Sequence, residues 1–407
     1  MADEERTLNI ATKLVHSGER QTASDAQSVA TPIYATATFT YESMEDIDRV
    51  FSGEKQGFIY TRYGNPTTGA LENAIRVLEE GATACAYSTG MAALHAALFA
   101  CDLKPGATVV ASQDLYGATT GLLNTVFGSF GIKTVATDFS NLEQLRTTVL
   151  DAKPAVLVAE TISNPLLKVC DIEACAEIAG EVGARLIVDN TFASPYLCQP
   201  LKFGADLVVH SATKYLGGHA DAMGGLVVSR DEFDSVALVG VMKLVGGVLS
   251  VWEAHQISRG IKTLGVRLDR QCENARVLSE YLRKDDRIEE VYYPGDASAV
   301  DLVVTRRMLR KPHSGALVSI KLKDDTREGA FRFMNALRLC VRSTSLGDVF
   351  TSVLHPATAS HRDLTPARRL ELGINDGLIR ISVGIESVDD IIADIGQALA
   401  ESVVSGE

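Results

Sequence analysis

Basic residues are in the minority in this sequence of 407 residues. The chain has 39 lysines and arginines against 52 aspartates and glutamates, and its formal net charge is -13. Because such a chain repels phosphate groups, the composition argues against nucleic acids and anionic membranes as partners. With 46% hydrophobic and 22% charged residues, the sequence otherwise has the composition of an ordinary globular protein.

Cysteine pairs and metal-binding motifs are also missing. The seven cysteines are odd in number and include no C-x-x-C spacing, so the sequence predicts neither a disulfide framework nor a zinc site. The eight histidines show no H-E-x-x-H or comparable ligand spacing, and we therefore expect no metal. This cysteine usage, together with an acidic start (MADEERTLNI) that is unlike a signal peptide, predicts a cytoplasmic protein.

One uncharged run is long enough to resemble a membrane span. Residues 81–101 contain no Asp, Glu, Lys or Arg. However, Ser, Thr, Gly and His are spread through the run, and Gly90 interrupts it. We therefore predict two shorter buried elements here, a strand near residues 85–88 followed by an Ala-rich helix.

The sequence does contain a regular alternation of short apolar runs with helical stretches. Six runs have the length of buried parallel strands: 107–112, 133–138, 155–160, 185–190, 206–211 and 224–229. Strands that alternate with helices predict an α/β fold with a mainly parallel sheet covered by helices on both faces.

The pattern changes after about residue 250. Residues 251–284 predict one or two long helices, and later strands at 315–322 and 378–385 predict a smaller C-terminal α/β domain. The first 60 residues have little core-forming periodicity of their own. We therefore predict an N-terminal arm (1–60) that contacts a neighbouring subunit, a large cofactor-binding domain (61–255) and a C-terminal domain (256–407).

Chemically distinctive residues follow several of the predicted strands, and ligands bind beyond the carboxyl ends of parallel strands. The segment 88–91 (STGM) would open a helix whose free N–H groups suit a phosphate, while Tyr116, Asn164, Asp189 and Lys214 follow later strands. Each residue alone has an ordinary explanation as a cap, a packing residue or a surface side chain. Together they match pyridoxal phosphate, which needs phosphate donors, a stacking ring, a carboxylate for its pyridine nitrogen and a lysine for its aldehyde.

Six motifs, in order along almost the whole chain, resemble those of the Cys/Met-metabolism family of pyridoxal-phosphate enzymes. They are YTRYGNPTTGALE (60–72), YSTGMAALHAAL (87–98), DLYGAT (114–119), ETISNP (160–165), SATKYLGGHADAMGG (211–225) and LIRISVGIE (378–386). The family includes methionine γ-lyases, cystathionine γ-lyases and γ-synthases, and O-acylhomoserine sulfhydrylases. The resemblance implies the aspartate aminotransferase-like fold, fold type I, and a homo-oligomer of at least two subunits, expected to be a dimer of dimers.

The resemblance also implies a role for individual residues. Lys214 forms the Schiff base and moves protons, Asp189 pairs with the pyridine nitrogen, and Tyr116 stacks on the ring and serves as an acid or base at the leaving group. The implied phosphate ligands are Ser88, Gly90, Met91, Ser211 and Thr213, with Tyr60 and Arg62 reaching the phosphate of a neighbouring subunit. The implied substrate ligands are Arg380, which would clamp the α-carboxylate, and its neighbours Asn164 and Ser345.

Substrate choice depends on the residues around the distal end of the substrate. The uncharged residues Ile59, Gly121 and Thr344 stand where cystathionine γ-lyases of this family carry charged ones. A second zwitterion would lack partners against such residues, which disfavours cystathionine as the substrate.

The motifs also depart from those of methionine γ-lyases. Ala118 occupies the position of their active-site cysteine, and Leu244 after Lys243 replaces their acidic residue. We expect γ-elimination of a methionine- or homocysteine-type amino acid to 2-oxobutanoate, ammonia and a thiol. Two alternatives stay open, namely γ-replacement on O-acetyl- or O-succinylhomoserine with sulfide, a thiol or cysteine, and a catalytically silent scaffold.

Overall fold

The computed structural model describes residues 8–21, 28–296 and 301–402. Its strands form a seven-stranded and a five-stranded sheet. The strands of the first sheet are β1 (Thr83–Tyr87), β2 (Thr108–Ser112), β3 (Lys133–Thr137), β4 (Val156–Glu160), β5 (Arg185–Asp189), β6 (Leu207–Ser211) and β7 (Gly225–Ser229). The strands of the second sheet are β8 (Ile288–Tyr292), β9 (Leu317–Leu322), β10 (Val341–Arg342), β11 (Ser352–Leu354) and β12 (Leu378–Ser382).

The first sheet has the strand order β1-β7-β6-β5-β4-β2-β3. Neighbouring strands from β3 across to β6 are parallel, while β7 runs antiparallel to both β6 and β1. All six strands expected between residues 107 and 229 are present within one residue of their predicted bounds. The prediction of an α/β fold with a mainly parallel sheet is therefore confirmed.

Helices cover both faces of this sheet and separate its core into two layers. In chain order the helices are α1 (Ile10–His16), α2 (Met44–Phe51), α3 (Pro66–Glu79), α4 (Gly90–Ala100), α5 (Gly117–Gly121, continued by the π-helical segment Leu122–Phe127), α6 (Leu142–Ala152), α7 (Ile172–Glu181), α8 (Ser194–Leu197), α9 (Asp234–Val245), α10 (Val251–Ile261), α11 (Leu264–Leu282), α12 (Leu302–Met308), α13 (Arg327–Ala336), α14 (Pro366–Glu371) and α15 (Val388–Ser402). One layer includes buried residues of α3 and α7, and the other is built largely on α4.

The second sheet follows the order β10-β11-β12-β9-β8, and all its neighbours are antiparallel except β10 and β11. The sequence predicted β9 and β12 but missed β8, β10 and β11, because β8 alternates weakly and the other two strands span three residues or fewer. The predicted helical stretch 251–284 forms α10 and α11. Leu268 in α11 belongs to the core of the first sheet and Leu278 to that of the second, so this helix joins the two.

In the uncharged run 81–101, strand β1 is followed by helix α4, as expected, and the run does not form one long helix. Over the described ranges, every helix is too short or too polar to cross a membrane. In the first 60 residues, Leu14 of α1 packs into the core, whereas α2 buries no residue. The division of the chain into an arm and two domains stays a prediction.

Candidate active site

A cavity of about 470 Å³ lies beyond the carboxyl ends of β4, β5 and β6. Ten of the residues named from the sequence line it: Gly90, Met91, Tyr116, Asn164, Asp189, Ser211, Thr213, Lys214, Arg380 and Thr344. Ser345 reaches it through a hydrogen bond to Lys214. The parallel strand order explains this convergence, since it brings residues from distant segments to one sheet edge.

The first turn of α4 forms an anion cradle at one end of the cavity. Thr89 caps the helix, with its hydroxyl accepting from the Ala92 N–H at 3.0 Å. A Cβ atom added to Gly90 would lie 2.8 Å from the Cβ of Ser211, so the close approach of α4 to β6 requires glycine. The N–H groups at the helix start and the nearby hydroxyls of Ser211 and Thr213 suit a phosphate. Ser88 does not line the cavity, and its N–H donates to the Gly247 carbonyl at 2.8 Å.

Two carboxyl groups lie side by side in the floor of the cavity. Glu160 and Asp189 are register partners at the ends of β4 and β5. Burial raises the pKa of Asp189, and the hydrogen bonds from Thr191 act in the opposite direction. Burial, followed by the charge of Asp189, raises the pKa of Glu160 well above its usual range. Glu160 was not named from the sequence, although it opens the motif ETISNP.

Lys214 follows β6, and its amine donates to the hydroxyl of Ser345 at 3.0 Å. Burial lowers the pKa of this amine, the charge of Arg380 lowers it further, and Asp348 acts in the opposite direction. The amine is therefore easier to deprotonate than an exposed lysine.

Arg380 on β12 reaches the cavity from the second sheet and is only 3% exposed. Its Nη1 donates to Oδ1 of Asn164 at 2.7 Å, and its Nη2 donates to the Ser345 carbonyl at 3.3 Å. Burial lowers the pKa of Arg380 to about 10. The Nε atom is buried without a hydrogen-bond partner, which leaves donor capacity for a planar anion.

Tyr116 precedes α5 and is half-exposed at the cavity wall. Its backbone N–H donates to Oε1 of Glu160 at 2.7 Å, which fixes the start of α5 to the end of β4. Phe192 lines the cavity as well, with its ring 5.7 Å from the guanidinium carbon of Arg380. The sequence did not single out Phe192 or Thr191, because only the DNT turn after β5 signals their position.

Tyr60 and Arg62 do not line the cavity within the chain. The guanidinium carbon of Arg62 lies 5.4 and 5.0 Å from the ring centres of Tyr60 and Tyr63, and the group donates to the Lys243 carbonyl. Their surroundings form an open groove with Val248. Of the residues considered for the distal end of the substrate, Thr344 lines the cavity. Four others do not line it: Ile59, Ala118, Gly121 and Leu244.

The sequence as a whole matches a family model described as Cys/Met metabolism PLP-dependent enzyme, over residues 11–400. The chain belongs to this family. It is therefore a pyridoxal-phosphate-dependent enzyme, and the expected family, fold type and cofactor are confirmed.

Individual relatives resemble the chain over nearly its whole length. An L-methionine gamma-lyase of Fusobacterium nucleatum subsp. nucleatum is 42% identical over 97% of this chain and 99% of its own. A crystal structure of metB from Corynebacterium glutamicum superposes with a TM-score of 0.90 at 37% identity, covering 97% and 99% of the two chains. A putative O-acetylhomoserine (thiol)-lyase of Campylobacter jejuni subsp. jejuni, with a TM-score of 0.91 at 28% identity over 97% and 100%, carries a pyridoxyl-lysine monophosphate.

The cavity residues fit the cofactor that the family requires. The Gly90 cradle leaves space for a phosphate beside Ser211. Among the described residues, Thr191 alone donates hydrogen bonds to the buried carboxyl of Asp189, which leaves this carboxyl able to pair with a pyridinium. Within the described part of the chain, the amine of Lys214 has a hydroxyl partner, Ser345, and it has a lowered pKa, as an amine that must react with an aldehyde requires.

Proposed function

We propose that this enzyme catalyses γ-elimination on a methionine- or homocysteine-type amino acid, releasing 2-oxobutanoate, ammonia and a thiol. One observation carries the proposal: the amine of Lys214 and the guanidinium of Arg380 both contact Ser345 in a cavity that also has apolar walls. Ile162, Met223 and Leu346 belong to these walls. The site thus has one place for an α-carboxylate and an uncharged space for a thioether.

In the proposed arrangement, Arg380 binds the substrate α-carboxylate with two parallel hydrogen bonds. Asn164 orients the guanidinium, because its side-chain oxygen accepts from Nη1. Phe192 covers the group and helps to exclude water, which strengthens the interaction. The contact of Ser345 with both side chains then sets the Cα–H bond near Lys214.

We assign the cofactor contacts to the residues named from the sequence. Asp189 holds the proton on the pyridine nitrogen, Tyr116 stacks on the ring, and the cradle residues Gly90, Met91, Ser211 and Thr213, with Ser88 behind them, bind the phosphate. When bound, pyridoxal phosphate withdraws electrons from Cα and so acidifies the neighbouring C–H bonds.

Proton transfer falls to two residues. Lys214, whose lowered pKa makes its amine easier to deprotonate, removes the proton from Cα and acts again at Cβ. Tyr116 donates a proton to the sulfur as its bond to Cγ breaks. Water supplies the remaining atoms, so methionine and water give 2-oxobutanoate, ammonia and methanethiol.

A second candidate function is γ-replacement on an O-acylhomoserine with sulfide, a thiol or cysteine. The chain resembles a cystathionine gamma synthase of Xanthomonas oryzae pv. oryzae, at 36% identity and a TM-score of 0.90, besides the thiol-lyase of Campylobacter jejuni. Ala118 in place of a cysteine also favours a less methionine-specific site. Both reactions need the same carboxylate clamp and the same lysine.

We further propose that the enzyme is a homo-oligomer, at least a dimer and expected to be a dimer of dimers. Tyr60 and Arg62 lie outside the cavity of their own chain, which supports their proposed role at the phosphate of a neighbouring subunit. Helix α2 supports it too, since Met44 and Phe51 are 72% and 60% exposed. The cytoplasmic location stays a prediction.

The test is a comparison of kcat/KM for competing substrates, because discrimination is a ratio of these constants. Methionine and homocysteine alone, O-acetylhomoserine or O-succinylhomoserine with sulfide, and cystathionine are supplied at equal concentrations. Formation of 2-oxobutanoate and thiol from methionine or homocysteine at the highest kcat/KM supports the proposed elimination. A much larger kcat/KM for the O-acylhomoserine assigns replacement instead, and a larger value for cystathionine contradicts the uncharged distal pocket.

A further inference from the structure

A buried hydrogen-bond network lies under the ends of the strands that carry the cavity. Glu79, the last residue of α3, is its centre and is 0% exposed. Oε1 of Glu79 accepts from Nδ2 of Asn190 at 3.0 Å and lies 2.7 Å from Nε2 of His210. Oδ1 of Asn190 in turn accepts from the Thr161 hydroxyl at 2.7 Å. Four buried polar side chains from four segments are thus joined by direct hydrogen bonds.

Each strand-end partner in this network directly precedes or follows a cavity residue. Thr161 follows Glu160, and Asn190 follows Asp189. His210 precedes Ser211 on β6. Adjacent residues of an extended chain point to opposite sides, so a side chain held below the sheet fixes the direction of its neighbour above it.

On the cavity side of the sheet, a second set of hydrogen bonds joins the same strand ends. The Thr191 hydroxyl donates to Asp189 and accepts from the Ser211 N–H at 2.8 Å. The Asn190 N–H donates to the Val209 carbonyl at 2.8 Å, which joins β5 to β6 at the same level. The strand ends that carry Asp189 and Ser211 are therefore held from both faces of the sheet.

Stability alone does not account for a carboxyl group at this place. Removing a carboxylate from water costs several kcal/mol, and apolar residues of similar volume in a core are often as stable or more so. Oε2 of Glu79 and Nδ1 of His210 are buried without hydrogen-bond partners in the described chain. The cost of burying these two atoms is therefore not offset by hydrogen bonds. Such a group restricts the positions of the side chains around it, because a hydrogen-bonded network allows few arrangements of its members.

We propose that Glu79 is a positioning residue for the cofactor site: through Asn190 and His210 it sets the orientation of Asp189 and Ser211. The inference rests on the proposed roles of these two residues toward the pyridine nitrogen and the phosphate. Glu79 itself contacts neither cofactor nor substrate, and its effect passes through the two strand ends.

The experiment compares the holoenzymes of Glu79→Gln and Glu80→Gln. Glu80 is the adjacent residue, and it pairs with the half-exposed Lys202 and with the buried side chain of Lys13. The readouts are visible circular dichroism of the bound cofactor, its dissociation constant, and kcat and KM. For Glu79→Gln we expect altered visible dichroism, about tenfold weaker cofactor binding and about tenfold lower kcat, with KM changed much less. Glu80→Gln is expected to match the parent enzyme.

Visible dichroism and cofactor affinity need no substrate, so they decide the inference even if methionine proves not to be turned over. A Glu79→Gln enzyme with unchanged dichroism, affinity and kcat overturns it. If that variant does not fold, Thr161→Val and Thr161→Ser decide, since only the first removes the hydroxyl that reaches Asn190. A change in the cofactor signal confined to Thr161→Val supports the inference, and two variants that both match the parent enzyme overturn it.

Discussion

Lys214 and Arg380 meet at one residue, Ser345. The amine of Lys214 donates to the Ser345 hydroxyl at 3.0 Å, and Arg380 donates to the Ser345 carbonyl at 3.3 Å. The positive charge of Arg380 contributes to the lowered pKa of Lys214. The group proposed to bind the substrate therefore also helps to make the proposed base easier to deprotonate.

Replacing Lys214 with alanine tests the assignment of the cofactor lysine. Lys214→Ala is expected to lower kcat by at least about a thousandfold, because no neighbouring amine replaces it as proton carrier. The absorbance band of cofactor bound through lysine should also disappear. Lys202→Ala, at a half-exposed surface position, serves as the control. Near-normal turnover by Lys214→Ala contradicts the assignment.

The substitution Arg380→Lys keeps the charge but removes the planar pair of donors. We expect kcat/KM to fall at least about thirtyfold, equivalent to ~2 kcal/mol, mainly through a higher KM. Arg368→Lys, on the exposed helix α14, is the matched control. Steady-state kinetics with the preferred amino acid measures both. Equal KM values for Arg380→Lys and the parent enzyme would place the carboxylate elsewhere.

Glu72 in α3 should make stability depend on pH. Its Oε1 accepts from the Ala86 N–H at 2.8 Å, and burial raises the pKa of Glu72 from 4.5 to about 7. Because the folded state holds the proton more tightly than the unfolded state, this contribution to stability is full below pH 4.5 and is lost as the pH rises through 7.

Glu72→Gln cannot ionise, so it should raise the free energy of unfolding at pH 8 by ~1–3 kcal/mol and change it little at pH 4.5. Denaturant unfolding of the holoenzyme at both pH values gives the difference. Glu177→Gln, at an exposed position of α7, controls for the loss of one charge. The same offset at both pH values would show that Glu72 does not titrate between them.

Arg62→Ala tests the proposed subunit contact. Removal of a guanidinium from a phosphate contact should weaken cofactor binding about tenfold, and light scattering of the parent enzyme should show at least a dimer. Arg49→Ala, in the predicted N-terminal arm and with a 56% exposed side chain, should bind the cofactor normally. A fully active monomer, or equal cofactor affinity for both variants, is the result that would rule out a shared site.

Much of the site was predictable from the sequence because parallel strands place their carboxyl ends together. Asp189 ends β5 and Lys214 follows β6, and the apolar runs that form these strands are clear in the sequence. The motifs around them resemble a known family and supplied the remaining roles. The choice of substrate was harder to predict from the sequence, since Ile59, Gly121 and Leu244 do not line the cavity of their own chain.

The sequence by itself determined the alternation of strands and helices and the cofactor class, and it supplied the lysine proposed to bear the cofactor, because these depend on short segments with strong local patterns. Only the tertiary structure decided which distant residues meet. Arg380 on β12 and Asn164 in the turn after β4 are 216 residues apart, and Lys214 and Ser345 are 131 residues apart. Such contacts depend on how α11 and its neighbours join the two cores, and no local periodicity encodes that packing. The network around Glu79 has the same origin, since buried hydrogen bonds between separate segments form only when all of them are in place.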